Sequence, residues 1–261
     1  MTFLRRGALV FLVLYLTVPL LMTLVYSFAT AWTQLLPDGL TLEAWQTLFG
    51  DARFWGAVGR SFVLALCAVG ISIAFLVPTL FAVTLYIPKV GALLEFLSLW
   101  IFVFPGVILA VGLIKIFSNP PLAISGTPWL LIPAVTIGVL PFAYRAVANA
   151  FEAANVRELS EAARSLGAND LQILLWVIVP TVLPGILSGG VLALSAAFGE
   201  FSLAQLIVGS AWETLPYYQY LTNAQDGHRS AAISVIAFAA AWGLGAFALA
   251  QKKDSSSVVT V

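Results

Sequence analysis

The sequence has very little charge. Only 9% of its 261 residues are Asp, Glu, Lys or Arg, and 12 basic residues balance 12 acidic ones. A soluble domain carries about 25% charged residues. Hydrophobic residues make up 61% of the chain. This composition excludes an ordinary soluble domain, and the zero formal net charge gives no electrostatic reason to expect a nucleic-acid partner.

Residues that carry common enzyme chemistries are also scarce. The single cysteine, Cys67, has no second cysteine for an internal disulfide, and the single histidine, His228, lacks spaced His, Cys or carboxylate partners for a metal. No lysine follows a glycine or precedes Ser or Thr, so the Gly-Lys-Ser/Thr core of a P-loop is absent. The sequence therefore predicts no catalytic residue, metal site or cofactor in this chain.

Long apolar runs are abundant instead. A helix needs about 20 mostly apolar residues to cross the hydrocarbon layer of a bilayer. The sequence contains six such runs, of which the third and fifth are the clearest and the first is interpreted as an uncleaved span rather than a signal peptide. We predict an all-α, polytopic membrane protein with six transmembrane helices, at residues 8–29, 61–87, 92–117, 129–149, 182–208 and 230–250.

The positions of Lys and Arg near the span ends predict the orientation, because cytoplasmic loops carry the excess of these residues. Four lie on one side of the predicted spans (Arg53, Arg60, Lys115 and Arg229), and Trp32, Trp129 and Trp212 lie there as an interfacial belt. Eight Lys and Arg residues, twice as many, lie on the side that holds both termini. We therefore expect both termini in the cytoplasm. The residues on that side are Arg5, Arg6, Lys89, Arg145, Arg157, Arg164, Lys252 and Lys253.

The chain divides into three parts. Residues 1–56 contain the first span and an outer loop. In that loop, Thr41 as an N-cap and the spacing of Leu42, Trp45, Leu48 and Phe49 predict a short amphipathic helix along the membrane surface. Residues 57–250 form the main transmembrane domain. Residues 251–261 are a polar cytoplasmic tail that need not fold.

The most informative stretch is the motif segment, residues 157–180, between the fourth and fifth spans. Residues 157–166 suit a short helix, which Gly167 would end as a left-handed residue. Asn169 and Gln172 resemble a capping box for a second helix, which we expect to bury Leu171, Leu174, Leu175 and Ile178 and to end at Pro180. We expect Glu161 to pair with Arg164 or to face a partner. From helix physics alone, a solvated loop with such pairs is the favoured interpretation.

The motif segment also resembles a known family, which reverses that preference. Glu161-Ala162-Ala163, three residues, Gly167, nine residues and Val-Ile-Val-Pro at 177–180 are similar to the Glu-Ala-Ala signature of permease subunits in binding-protein-dependent ABC importers. The spacing matches throughout. Val177 and Val179 replace the usual Ile and Leu, and both stay apolar. The resemblance covers roughly residues 57–250.

The resemblance implies that the chain lies in the inner membrane of a bacterium, and it implies how the chain would work. In this family the loop is a coupling helix that docks on a cytoplasmic ATPase dimer, which binds ATP and Mg²⁺. The missing P-loop agrees with hydrolysis by a separate subunit. The family also implies a second permease subunit, identical or homologous, an extracytoplasmic solute-binding protein, and a path between the permeases. The implied ATPase-coupling residues are Glu161, Ala162, Ala163, Gly167, Ala168 and Pro180.

Glu200 is the acidic residue that lies deepest in a predicted span. An ionised side chain there costs about 2.5 kcal/mol or more, so it should face the bundle interior or a water-filled path. Gly199 beside it allows close approach of a helix or solute, and Ala204 joins them as a predicted pathway residue. A structural polar contact between helices is the alternative role for Glu200.

The solute is less defined. Residues 198–202 and 205–209 most resemble permeases of polyamine importers, although similar Gly-Glu-Phe segments occur in permeases for iron, thiamine, aminophosphonates and oxyanions. A cationic solute would suit Glu200. Two further hypotheses remain open: a secondary transporter that uses Glu200 as a proton or cation site, and a membrane scaffold that transports nothing.

Overall fold

The computed structural model describes residues 2–33 and 36–257. Its regular structure there is helical, apart from an isolated bridge between Ala29 and Leu40, so the all-α prediction is confirmed. Short 3₁₀ turns lie at Pro88–Val90, Ile101–Val103 and Gly209–Trp212, and a π-helical turn, Ile173–Ile178, joins α8 to α9. The α-helices are α1 (Thr2–Ser27), α2 (Glu43–Gly50), α3 (Ala52–Tyr86), α4 (Gly91–Trp100), α5 (Gly106–Phe117), α6 (Pro128–Ala153), α7 (Val156–Ser165), α8 (Asp170–Gln172), α9 (Val179–Phe198), α10 (Ser202–Ile207), α11 (Leu215–Asn223) and α12 (Gly227–Ser257).

The helices include several that are long and apolar enough to cross a membrane. In the part described, these are Arg5–Ser27, Ala52–Tyr86, Pro128–Ala153 and Asp170–Phe198, and the bent pair α4–α5 would make a fifth. The sixth predicted span lies inside α12. A polytopic membrane fold is thereby supported, and the count of six stays a prediction.

Three helices, α3, α6 and α9, form the centre of the fold. Glycines of α9 face alanines of α6: a Cβ atom at Gly185 would lie 2.2 Å from the Ala150 Cβ, and one at Gly189 would lie 2.7 Å from the Ala146 Cβ. Small residues at facing positions let the two backbones approach closely, which favours helix association in a bilayer. The motif segment therefore connects two tightly packed helices, because it follows α6 and leads into α9.

The third predicted span is not a single helix. The chain turns by 95° between α4 and α5. Pro105 has no amide hydrogen, and its ring disfavours the helical conformation of the residue before it. Phe104 is accordingly extended, with φ −94° and ψ 117°. The prediction of one unbroken span over 92–117 is therefore wrong, and a broken span or re-entrant loop takes its place.

The fifth predicted span is also interrupted. α9 ends at Phe198, and α10 begins only at Ser202. Glu200 lies between them, and its Oε1 accepts a hydrogen bond of 2.9 Å from the Leu203 N–H, an amide in the first turn of α10 that has no partner within that helix. The carboxylate therefore occupies a break between two helices, which corrects its predicted place deep within one continuous span.

Prolines inside the other spans do not break them. Pro78 lies within α3, and Pro133 and Pro141 lie within α6, since neighbouring helices can satisfy the backbone groups that a proline frees. α3 begins at Ala52, well before the predicted start at residue 61, and so runs across the predicted domain boundary at residue 57.

The outer-loop helix is confirmed as α2. The N-cap position is Leu42 rather than the predicted Thr41, whose Oγ1 accepts a hydrogen bond of 3.1 Å from the Glu43 N–H. The predicted apolar face is only partly correct, because Leu48 is buried whereas Leu42 and Phe49 are exposed.

The two terminal helices, α1 and α12, pack against each other. His228 lies in the first turn of α12. Its Nδ1 is 2.8 Å from the Tyr26 carbonyl oxygen, and the two rings stack at 4.3 Å. α12 extends to Ser257 and so includes the first residues of the predicted polar tail. Residues 258–261 of the predicted tail, and the Lys252 and Lys253 side chains, lie outside the part described.

Candidate functional site

The motif segment folds into a helical hairpin. α7 covers Val156–Ser165, and Gly167 follows with φ +87°, the left-handed conformation predicted for it. Asn169 Oδ1 accepts from the Gln172 N–H at 3.0 Å, while Gln172 Oε1 accepts from the Asn169 N–H at 2.9 Å. The predicted turn and capping box are therefore confirmed, and together they set the direction in which the chain enters α8.

The second helix of the hairpin is longer than predicted. It does not end at Pro180 but continues as one stretch, Asp170–Phe198. Ile173 and Ile178 are both fully buried, although residues five apart on an α-helix point roughly 140° away from each other. The wider π-helical turn brings both to one side. Leu171 and Leu175, predicted to be buried, are 65% and 50% exposed.

The predicted coupling residues separate into two groups. Glu161, Ala162 and Gly167 are exposed, whereas Ala163 is buried and Ala168 is half-buried. Pro180 is exposed within the long helix. α7 thus presents one face outwards and packs the opposite one against the bundle. The ATPase-docking role of these residues stays a prediction.

Leu166 adds an apolar group to the outward face of the hairpin. It is 90% exposed, directly after the last turn of α7. Sequence reasoning missed it as a candidate contact residue. The available signal was its position just before Gly167. A left-handed glycine ends the helix there, so Leu166 lies at the turn and not on the packed face of α7.

The ion pairs of α7 differ from those predicted. Glu161 lies 4.0 Å from Arg157 on its own helix rather than beside Arg164. Arg164 Nη2 instead donates to Asp170 Oδ1 at 2.9 Å and to the Tyr86 hydroxyl, which itself donates to Asp170 Oδ2. Tyr86 was absent from the predicted site, since it lies 78 residues from Arg164.

A cavity of about 280 Å³ lies where α5, α6, α9 and α10 meet, and Glu200 lines it. The other lining residues are apolar, including Phe102, Phe104 and Phe142, so Glu200 supplies the single ionisable side chain of this cavity. Beyond the Leu203 contact, its carboxylate accepts no hydrogen bond within residues 2–33 and 36–257. The break at Pro105 lines the same cavity, because Phe104 and Gly106 flank it.

The other two predicted pathway residues lie close to Glu200 but differ in exposure. Gly199 is exposed at the end of α9, and a Cβ atom there would meet only carbonyl oxygens of the same helix. Ala204 is buried within α10. The structure therefore brings the three residues together around one helix break, and their role in transport stays a prediction.

At the end of the bundle opposite the hairpin, Glu213 holds the start of α3. Its Oε1 accepts from Arg53 at 2.9 Å, its backbone oxygen accepts from Arg60, and its side chain is only 9% exposed. Sequence reasoning missed this cluster, because Arg53 and Glu213 are 160 residues apart and no local spacing joins them.

A second polar cluster lies beside it. Tyr218 donates to Asp51 Oδ2 at 2.7 Å, and Arg229 approaches the same oxygen at 3.3 Å. Burial opposes ionisation of Asp51, but the hydrogen bond from Tyr218 and the charge of Arg229 leave the pKa of Asp51 below its ordinary value. These contacts join the start of α3 to α11 and α12.

No group of three His, Cys, Asp or Glu side chains in the described part of the chain is arranged to hold a metal ion. Lys115 is exposed, as predicted for a residue at a span end. Glu95 on α4 pairs with Arg145 on α6 at 2.9 Å.

Known proteins of similar sequence are transport permeases. The chain is 27% identical over 228 residues to the putative 2-aminoethylphosphonate transport system permease protein PhnV of Salmonella typhimurium, covering 87% of this chain and 85% of that protein. It is 27% identical over 220 residues to the spermidine/putrescine transport system permease protein PotC of Escherichia coli, covering 83% and 81%.

Solved structures share the fold. A chain of a bacterial alginate ABC transporter, in complex with an alginate pentasaccharide-bound periplasmic protein, superposes with a TM-score of 0.71 at 14% identity, over 99% of this chain and 94% of that one. A chain of the MetNI methionine ABC transporter gives a TM-score of 0.55 at 21% identity, over 78% and 93%.

A family model confirms the resemblance carried by the motif segment. The model for the binding-protein-dependent transport system inner membrane component matches residues 74–251, which is more than half of the chain. That stretch contains the last part of α3, all of α6 and α9, the helical hairpin and the cavity around Glu200. The chain belongs to this family, the membrane-spanning permease subunits of ABC importers.

Proposed function

We propose that this permease couples passage of a solute to ATP hydrolysis by a separate ATPase that docks on the outward face of α7. The exposed position of Glu161, Ala162 and Leu166 is the observation that carries the proposal. Leu166 is 90% exposed outside the spans, and contact with a partner protein would remove its apolar side chain from water. The opposite face of α7 packs against the bundle through three buried residues, Val156, Ser160 and Ala163.

The remaining partners follow from family membership. A second permease subunit, identical or homologous, completes the path, and an extracytoplasmic binding protein delivers the solute. Both termini lie in the cytoplasm, and six spans cross the inner membrane. The eight-to-four distribution of Lys and Arg supports this orientation.

The solute carries an ammonium group. Glu200 is the ionisable residue of a cavity that is otherwise apolar and partly aromatic, and carboxylates and phenyl rings both attract organic cations. The two relatives support this class, because 2-aminoethylphosphonate and the polyamines spermidine and putrescine share a primary alkylammonium group.

Purification of the chain with its neighbours tests the proposed coupling. We expect an ATPase to remain bound after mild solubilisation and to hydrolyse ATP at a rate that depends on this subunit. Replacing Glu161 by arginine should release it, because the reversed charge lies on the docking face. Glu43→Arg is the matched control, since it makes the same charge reversal at an exposed carboxylate on α2. Uptake that needs an ion gradient but no ATP would replace the proposal with a secondary transporter.

Replacing Glu200 by glutamine tests the solute class. The amide oxygen of glutamine can still accept from the Leu203 N–H and cap α10, so the change removes the charge while keeping that contact. A hydrogen bond to a charged group contributes about 1.5–3 kcal/mol, so we expect uptake to fall about tenfold or more. The measurement is initial uptake of labelled putrescine and 2-aminoethylphosphonate, with assembly checked by co-purification. Wild-type uptake by this variant would remove the Glu200 charge from the mechanism.

A further inference from the structure

Three side chains join the hairpin to the end of α3. We call Arg164, Tyr86 and Asp170 the Arg164 clasp. Arg164 Nη2 donates to the Tyr86 hydroxyl and, at 2.9 Å, to Asp170 Oδ1, and the Tyr86 hydroxyl donates to Asp170 Oδ2. The clasp therefore connects the last turn of α7, the last residue of α3 and the first residue of α8.

The clasp is more than an exposed ion pair. A single exposed pair contributes only about 0–1 kcal/mol, and the Arg164 and Asp170 side chains are 39% and 54% exposed. The Arg164 guanidinium also lies 5.4 Å from the centroid of the Tyr86 ring, a cation–π arrangement. Three hydrogen bonds and this contact define the relative position of the groups, so the clasp fixes geometry even where it adds little stability.

Among the described residues, the clasp contains the only side-chain hydrogen bond between α7 and α3. Ser160, the buried polar residue of α7, donates to Val156 on its own helix, and Arg157 and Glu161 face each other along the same helix. The remaining support for α7 is apolar packing around Val156 and Ala163. Apolar contacts are non-directional, so they allow sliding that directional hydrogen bonds resist.

We propose that Tyr86 and Asp170, with Arg164, are positioning residues that make α3 move with α7 when the ATPase changes state. This inference rests on the proposed function. α3 is continuous from Ala52 to Tyr86, roughly 50 Å at 1.5 Å per residue, and its other end is held by Glu213 through Arg53 and Arg60. A displacement of α7 that reaches Tyr86 is therefore carried towards the opposite face of the membrane.

Tyr86 is the residue whose change separates this role from folding of the hairpin. Arg164 and Asp170 also bond to each other, and Gly167 with the Asn169 capping box shapes the turn, so the hairpin does not depend on Tyr86. Tyr86→Phe removes both hydrogen bonds of the hydroxyl but keeps the ring under Arg164. Tyr86→Leu removes the ring as well.

The single cysteine of the chain provides the reporter, because Cys67 lies half-buried on α3. The permease–ATPase complex in nanodiscs is treated with N-ethylmaleimide, with or without ATP and vanadate, and the intact mass of the permease chain reports modification of Cys67. We expect nucleotide to change the wild-type rate by about threefold or more, and this change to be reduced in Tyr86→Phe and abolished in Tyr86→Leu. ATP hydrolysis and the amount of bound ATPase should stay within about twofold of wild type.

The control is Tyr15→Leu, since Tyr15 is a 68% exposed tyrosine on α1, far along the chain from the hairpin. A nucleotide effect on Cys67 that survives in Tyr86→Leu would overturn the proposal, and so would a wild-type rate that nucleotide leaves unchanged. Loss of bound ATPase in Tyr86→Phe would also overturn it, because the clasp would then only shape the docking face. A wild-type chain that binds no ATPase would instead contradict the proposed function.

Discussion

Replacing Gly185 by valine should reduce the recovery of folded protein about tenfold or more. A Cβ atom at this position would lie 2.2 Å from the Ala150 Cβ and 3.2 Å from the Ala146 backbone oxygen, so α9 must move away from α6. Overpacking a tight core costs about 1–3 kcal/mol, and here the obstruction includes backbone that has no rotamer to change. The measurement is the monodisperse fraction after size exclusion in mild detergent, together with thermal unfolding.

Gly70→Val is the matched control for this change. Gly70 lies in the middle of α3, and a Cβ atom there would have nothing within 4 Å. We expect that variant to unfold close to the wild-type temperature. Equal stability of the Gly185 and Gly70 variants would show that α6 and α9 are not in close contact. Gly185→Ala should give an intermediate loss, because it introduces the first clashing atom alone.

Replacing Gly167 by valine should abolish ATP-driven uptake while the membrane bundle stays folded. Gly167 has φ +87°, and a Cβ atom there would have nothing within 4 Å, so the effect arises from the backbone and not from a clash. A left-handed conformation costs an L-residue about 1–2 kcal/mol, and more for a β-branched one. The turn between α7 and α8 should therefore open, moving Glu161 and Leu166 away from the position that the ATPase contacts.

A graded series at Gly167 distinguishes this explanation from simple loss of protein. Asparagine tolerates the left-handed conformation better than alanine, and alanine better than valine. Bound ATPase and ATP-driven uptake should therefore decrease in the order Gly, Asn, Ala, Val, while thermal unfolding of the bundle changes little. Wild-type ATPase binding by Gly167→Val would contradict the docking role of the hairpin. An order that follows side-chain volume rather than conformational tolerance, with Asn below Ala, would contradict the backbone explanation.

The helices and the hairpin turn were predictable because their signals are local. Apolar runs of about 20 residues predict spans whatever their neighbours. A glycine after the last helical turn and an Asn three residues before a Gln specify the turn within a few residues. Gly167 and the Asn169–Gln172 capping box accordingly lie where the sequence predicts them.

The helix breaks were not predictable from the same signals. Pro105 separates α4 from α5, whereas Pro78, Pro133 and Pro141 lie inside unbroken helices. A proline frees the same backbone groups at each site, and only the surrounding helices decide whether those groups find new partners. The exposed position of Leu171 and Leu175 has a similar origin, since the π-helical turn rotates the buried side of the helix.

The sequence by itself determined membrane residence, the all-α class and, through the motif segment, the family. These follow from composition and from spacings within about twenty residues. Only the tertiary structure decided that Glu200 lies in a break beside a cavity, and that Tyr86 and Arg164, 78 residues apart, meet in the clasp. The reason is physical. Side-chain contacts between distant segments depend on how whole helices pack, and a sequence pattern indicates which face of a helix is buried but not which other helix packs against that face.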